Sequence, residues 1–232
     1  MSPAANPFVP HIYHCRRAAA VVVSQYAFAD DAVWNEAESL WPFFRLPEND
    51  QEWMKPRDPA VEQTRVKMLW NSSSIYLTAE LDSTELFVQP DAPTWESDVL
   101  EIFLQPSANS NAYYEFHATC DGRTWSARFA GNGGQGRKVF ESGLQCKAEA
   151  SSSGSWRVNM RLPLKTFNIQ PPQSGDEWRF NLARQNYGLS FKYDACLRGD
   201  AVRGRELSSS AARISGEMAF HDCTHFDVLK FL

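Results

Sequence analysis

Pro93-Thr94-Trp95-Glu96-Ser97-Asp98-Val99-Leu100-Glu101-Ile102-Phe103 decides how this chain is read. A proline-bounded polar loop passes a tryptophan and two acids, then enters a run of alternating side chains. In 99–105, Leu100, Ile102 and Leu104 share one side, and Val99, Glu101 and Phe103 the other. Such period-2 spacing marks a β-strand, whose successive side chains point to opposite faces. Residues 113–120 alternate in the same way, with Tyr114, Phe116 and Ala118 opposite Tyr113, Glu115 and His117. The polar loop 106–111 joins the two runs. Paired as a hairpin, they bring Glu101 close to His117 and Phe103 close to Glu115 on one sheet face.

Working outward, Asp121-Gly122 reads as a tight turn into Thr124–Phe129. Upstream, Val66, Met68 and Trp70 share a face, as do Ile75, Leu77, Ala79 and Leu81. Asn71-Ser72-Ser73-Ser74 connects these two strands. Downstream of the flexible stretch Gly131 to Gly136 come strands at 138–150, 156–162, 178–184 and 227–232, with a Ser/Gly turn at 151–155. Helical turns are expected only at 31–40 and 163–167. Short strands at hairpin spacing predict an all-β fold: a single-domain antiparallel β-sandwich of jelly-roll or immunoglobulin type. Residues 1–26 form an N-terminal strand and extension, and 27–232 the sandwich. Leu100, Ile102, Leu104, Phe116 and Ala118 should point into its core.

The chain has 232 residues and a formal net charge of −5, which gives no electrostatic reason to expect nucleic acid. No apolar run approaches the ~20 residues of a membrane span. Ala18 to Val23 follows Arg16 and Arg17 but lacks a small-residue cleavage site, so it reads as a strand rather than a signal peptide. A cytoplasmic location follows unless an export signal has been removed. Cysteines at 15, 120, 146, 196 and 223 form no CxxC pair and are odd in number. Reduced, mostly buried thiols are expected, with a single disulfide left open.

A sugar presents apolar C–H faces and a rim of hydroxyls, so its site needs flat rings and fixed polar groups. Trp70, Trp156 and Trp178 share strand faces with apolar residues and read as core. Trp95, in a loop, is either a ligand platform or a loop anchor. Trp53 is a weaker loop candidate. Glu101, between Val99 and Phe103, is poorly placed for solvent. It either accepts ligand hydroxyls or pairs with an arginine such as Arg128 or Arg184. Asn181 and Arg184 fall on opposite faces of one strand. The spacings of Glu115 with His117 and of His221 with His225 are weak metal signals. Asp91, Glu96 and Asp98 could hold calcium or could form a solvated acidic loop. Glu96, Glu101 and Glu115 could also supply glycosidase carboxylates. Met68 or Met160 with a histidine could ligate haem, although both sit on apolar strand faces.

The stretch 93–103 resembles the central motif of family 9 carbohydrate-binding modules. Upstream, Val66 to Trp70 and Ile75 to Glu80 match the family's paired strands, and Tyr113-Tyr114-Glu115 matches its Y-Y-E strand. Trp178-Arg179-Phe180-Asn181 matches its W-x-F-N strand. Phe220-His221 and Phe226-Asp227-Val228-Leu229 match its closing segment, with Asp227 where the family has glycine. The resemblance implies two rings clamping a terminal sugar. The first falls on Trp95 and the second on Phe220, where a tryptophan is usual. A hydroxyl-binding carboxylate falls on Glu101. A family arginine falls on His117, and a family asparagine near Glu217; Glu115 and Asn181 complete the set. Related modules often carry structural calcium. The implied function is binding of a mono- or oligosaccharide terminus, linked to xylan or glucan catabolism. Such modules are commonly attached to xylanases, and no catalytic domain fits in these residues.

Overall fold

The computed structural model describes residues 9–18, 32–46, 58–107, 109–152, 154–187, 205–211 and 219–232. The expected strand at 18–23 falls almost wholly outside them, as do Trp53, Cys196 and Glu217. Fourteen strands are described: β1 (Ile12–Arg17), β2 (Ser39–Leu40), β3 (Phe44–Arg45), β4 (Thr64–Trp70), β5 (Ser74–Leu81), β6 (Val99–Gln105), β7 (Tyr113–Thr119), β8 (Thr124–Phe129), β9 (Lys138–Val139), β10 (Gln145–Ala150), β11 (Trp156–Pro163), β12 (Glu177–Asn186), β13 (Glu206–Ser209) and β14 (Asp227–Phe231). The strand expected at 138–150 is broken into β9 and β10; Gly143 adopts a positive φ of 72° in the gap. The helical turns expected near 31–40 and 163–167 are 3-10 turns at Ala32–Trp34 and Leu164–Phe167.

The main strand order is β10-β11-β5-β4-β1-β14-β12-β6-β7-β8-β9. Most neighbours are antiparallel, but β1 is not. Its first residues pair in parallel with β14, and Arg16 and Arg17 then pair in parallel with β4. The sheet is therefore mixed rather than wholly antiparallel. One strand hydrogen-bonds first to one limb and then to the other, so the sheet curls around it. Parallel pairing needs a long connection between the partners. Here each partner is supplied from far along the chain.

The curl brings both limbs onto one core. Met68, Leu77, Trp156, Val158 and Met160 from one limb join Leu100, Ile102, Leu104, Phe116, Ala118 and Phe180 from the other. Trp70 and Trp178 lie in the same cluster, as their strand positions required. The thiols of Cys15, Cys120, Cys146 and Cys223 are free. A second cluster lies on the reverse face of the β6–β7–β12 limb and is built from Phe103, Tyr113, Ala127, Phe129, Ala183, Phe220, Cys223 and Phe226. The last three come from the segment leading into β14, which lies over this face as two 3-10 turns. Every residue of β6 is consequently buried on both faces.

One acid in this framework is held without its full complement of partners. Asp227 is buried, and its Oδ1 accepts from the His11 backbone N–H at 2.9 Å. Its Oδ2 finds no hydrogen bond. Burial raises its pKa to about 7 against the weaker pull of the His11 amide and Arg179. A folded-state pKa above the unfolded value means that folding prefers the protonated acid. Stability is then lost as pH climbs from about 4 through 7. We expect Asp227→Asn, which keeps the acceptor for His11, to gain at least about 1 kcal/mol on the wild type between pH 5 and pH 8. Urea denaturation of both proteins at the two pH values measures this. An identical difference at both pH values would show that the carboxyl is not held protonated.

Candidate functional site

Strand register builds the site. On the reverse face, Glu101 of β6 lies opposite His117 of β7, and Phe103 opposite Glu115. β8 places Trp125 opposite His117. β12 places Ala183 opposite Glu101, Asn181 opposite Phe103 and Gln185 opposite Val99. Trp95 stands on the 3-10 turn Thr94–Glu96, just ahead of β6. That turn is fastened at several points. Thr94 Oγ1 and His117 Nδ1 share a hydrogen bond of 2.6 Å. The Asp98 carboxylate accepts from the backbone N–H of Phe87 at 2.8 Å and of Tyr187 at 2.7 Å. The Tyr187 hydroxyl donates to the Trp95 carbonyl at 2.9 Å, and Arg123 donates to the carbonyls of Pro90 and Ala92.

Beside Trp95 lies a buried group of ionisable side chains. His117 Nε2 is 2.7 Å from Glu115 Oε1 and 3.9 Å from Glu101 Oε1. Gln185 Nε2 donates to Glu101 Oε1 at 2.7 Å, and Arg205 donates to Gln185 Oε1 at 2.7 Å. Glu101, Glu115 and His117 are 2%, 4% and 1% exposed. Loss of hydration disfavours their charged forms. Burial raises both glutamates to about 7, with neighbouring cations pulling the other way. It lowers His117 against the opposing field of Glu101. Tyr113 and His221 flank the group, joined by a hydrogen bond of 2.6 Å.

Two half-buried indoles rise at its edge. Trp95 and Trp125 meet edge to face, with ring centroids 5.6 Å apart and planes at 80°. Trp125 packs on the His117 ring at 4.7 Å, and Trp95 touches that ring edge-on. The Arg137 guanidinium lies 6.0 Å from the Trp95 centroid. Two flat surfaces near a right angle, over polar groups, can hold a molecule that has both apolar faces and hydroxyls.

Of the expected site residues, Trp95, Glu101, Glu115 and His117 come together. Phe220 is 8% exposed and packs against Phe103 at 6.2 Å within the reverse-face cluster. Asn181 is buried, and its Oδ1 accepts from Ser209 Oγ at 2.6 Å. Glu217 lies outside the described residues. The arginine partners considered for Glu101 are not its partners. Arg184 points to the other face and donates to the carbonyls of Glu62, Gln63 and Asp82. Arg128 is exposed. The carboxylates of Asp91, Glu96 and Asp98 do not come together. Asp98 is wholly buried on backbone amides, whereas Asp91 and Glu96 are exposed. Among the described residues, Glu101, Glu115 and His117 are the one group of three whose ligand atoms come together. Met68 and Met160 lie in the main core, packed rather than open to a haem iron.

Trp125, Gln185, Thr94 and Arg205 were not found from sequence. Trp125 could have been. The Asp121-Gly122 turn fixes the hairpin register and sets Trp125 across from His117.

Fold and face together define an all-β domain with two half-buried indoles beside a buried ionisable group. The chain belongs to the carbohydrate family 9 binding domain-like family, whose model matches residues 28–227. A family 9 carbohydrate-binding module from Caldicellulosiruptor kristjanssonii, solved with cellotriose, is similar in fold: TM-score 0.63, 14% identity, covering 95% of this chain and 93% of that one. The same module with glucose gives a TM-score of 0.64 at 14% identity, covering 95% of each chain. A candidate carbohydrate-binding protein from Bacteroides uniformis gives 0.69 at 15% identity, covering 97% of this chain and 100% of that one. In sequence, the chain is 26% identical over 148 residues to an extracellular protein of Arthroderma benhamiae. That match takes in 56% of this chain and 66% of the relative, just under two thirds of the relative's length.

The fastening of the Trp95 turn generates a test. Asp98→Ala removes two buried charge-assisted bonds to backbone amides. We expect a loss of roughly 3 kcal/mol in urea denaturation, together with a change in tryptophan fluorescence as Trp95 is released. Wild-type stability in the variant would mean that the carboxylate does not hold the loop.

Proposed function

We propose that this chain is a sugar-binding module that takes the terminus of a mono- or oligosaccharide on the reverse face of the β6–β7–β12 limb. One observation carries the reading. Two half-buried tryptophans, Trp95 and Trp125, stand edge to face at 5.6 Å beside a floor of hydrogen-bonding groups. A pyranose lies flat on an indole with its C–H groups against the ring, and its hydroxyls turn outward to polar partners. Glu101 is the acceptor, with Gln185 and His117 as further polar partners; Asn181, buried and bonded to Ser209, is not among them. Phe220, below Phe103, shapes the floor. We read the curled sheet as the two-layered jelly-roll sandwich of such modules, supported by a core drawn from both limbs. Cellotriose and glucose, the sugars in the similar structures, make a glucan or xylan end the first ligand class to test. A role alongside polysaccharide breakdown follows from that class.

Hydrolysis by the same acids fits poorly. The Glu101 and Glu115 oxygens close on one imidazole nitrogen, with all three ligand atoms within 4.8 Å of one another. Paired glycosidase carboxylates stand about 5–9.5 Å apart, on either side of the scissile bond.

Calorimetric titration with glucose, xylose, cellobiose and xylobiose tests the reading. Trp95→Ala should weaken binding by about 1–3 kcal/mol, as truncation of a central aromatic anchor does, and Trp125→Ala should act in the same direction. Glu101→Gln keeps the shape and should cost at least tenfold in affinity, about 1.4 kcal/mol, with stability changed by less than about 1 kcal/mol. No heat with any of the four sugars, or full affinity in the Trp95 and Glu101 variants, would overturn the assignment.

A further inference from the structure

We propose that Glu101, Glu115 and His117 form a binding site for one divalent transition-metal ion, zinc foremost. This goes beyond sugar binding and does not depend on it.

The donor atoms are already gathered. His117 Nε2, Glu115 Oε1 and Glu101 Oε1 all lie within 4.8 Å of one another. A tetrahedral zinc ion with bonds of ~2.0–2.2 Å sets its ligand atoms about 3.4 Å apart. The separations from Nε2, 2.7 Å and 3.9 Å, bracket that value. Small rotations of the two glutamate side chains would equalise them. The three residues hang from adjacent positions of two paired strands, so the backbone geometry is fixed before any ion arrives.

The surroundings are those a metal site requires. A ligating histidine has its second ring nitrogen held by an oxygen, which sets the tautomer and aims the first. Here Nδ1 shares a 2.6 Å hydrogen bond with Thr94 Oγ1, and Nε2 faces the carboxylates. The Glu101 oxygen is oriented in its turn by Gln185 Nε2 at 2.7 Å. Charge points the same way. Two buried carboxylates have one imidazole, His117, within 4 Å; His221 and Arg137 act on Glu115, and Arg205 on Glu101, only through space. Arg205 is occupied by Gln185 and Tyr187, and Arg137 lies over Trp95. Neither arginine reaches a carboxylate oxygen of the group within 4 Å. Buried charge is tolerated when it is paired or coordinates a metal. One nitrogen and two oxygens suit zinc, a borderline ion, better than manganese, a harder one that prefers oxygen. Calcium, which takes six to eight oxygens, is excluded by ligand number and type. Three protein ligands leave a fourth position for water or a ligand hydroxyl.

The experiment uses the full chain, dialysed against EDTA and then freed of it. Zinc, manganese and calcium chlorides are titrated at pH 7.5 by calorimetry, with melting temperature followed in parallel and no sugar present. We expect one zinc ion per chain with micromolar or tighter affinity, weaker manganese, no calcium heat and a raised melting temperature with zinc. Glu115→Gln and His117→Gln should each lower zinc affinity by more than tenfold. Thr94→Val leaves every ligand in place and should lower it about tenfold, which keeps the test open if a ligand variant folds poorly. The surface pairs His14–Glu38 and Asp222–His225 could bind zinc on their own. His14→Gln and His225→Gln should therefore leave the titration unchanged. Absence of zinc heat, or zinc binding that survives in the Glu115, His117 and Thr94 variants, overturns the proposal. Glucose titrated in EDTA separates the two readings. Glucose binding without zinc binding removes the metal site alone, and zinc binding without any sugar binding removes the sugar reading alone.

Discussion

The constraint on which this molecule depends is the burial of β6 on both of its faces. A strand at the edge of a small sheet can turn its polar residues to water. β6 cannot, because the main core lies against Leu100, Ile102 and Leu104, and a second apolar cluster lies against Phe103. Glu101 sits on that second face, where a charge has no water to solvate it. What surrounds it answers that need: His117 across one strand pair, Gln185 on the neighbouring strand and Glu115 two residues along. The apolar cover over Phe103, two residues along the same face, comes from the segment just before β14. Phe220 and Phe226 pack on Phe103 and so help to keep water from the apolar end of that face.

Most of the strands could be read from alternation, because alternation is a local property. Thr64–Trp70, Val99–Gln105 and Thr124–Phe129 were bounded to the residue, and the inward set Leu100, Ile102, Leu104, Phe116 and Ala118 lies in the core. The pairing of Glu101 with His117 was equally legible, since a hairpin leaves only a few registers and burial selects one. The parallel strand β1 was not. Nothing local in Ile12–Arg17 says that its partners are Val228 to Phe231 and then Leu69 and Trp70, more than fifty residues away in the nearer case. Turn chemistry cannot signal such a pairing. The same blindness applied to the cover. His117 and Glu115 read as outward-facing because their strand alternates, yet the segment closing over them comes from a hundred residues further on.

Phe220 shows how a family position and a physical environment can differ. Its place in the motif assigns it to a ring clamp, whereas its surroundings are Phe103 and the reverse-face cluster. Trp125 shows the converse. It lies on a regular strand, where alternation alone gives no sign of a binding role, yet it is half-buried and meets Trp95 edge to face. Strand position identifies which face a ring occupies, but not whether that face is covered where the ring stands. Covering is decided by loops, and loops are where alternation gives no information.

Among the described residues, the buried polar assembly around Arg184 contrasts with the one around His117, and the contrast identifies which is scaffold. Arg184 is completely buried, but its guanidinium donates to three backbone carbonyls and to Thr64 Oγ1, closing the ends of β4 and β5 onto β12. Its hydrogen-bond partners are mostly backbone carbonyls of chain segments that must be fixed somewhere, and Glu62, Asp82, Asp98 and Glu206 balance its charge, so the network serves packing. Glu101, Glu115 and His117 are arranged in the opposite sense. Acceptors converge on one nitrogen, the carboxyls are pushed towards neutrality, and two tryptophans stand at the margin. An assembly built only for stability would do better as apolar side chains of the same volume, because desolvating two acids is costly and one imidazole repays it poorly. A sequence that keeps such a group in an otherwise well-packed β-fold places its local conflict where a ligand or an ion would resolve it.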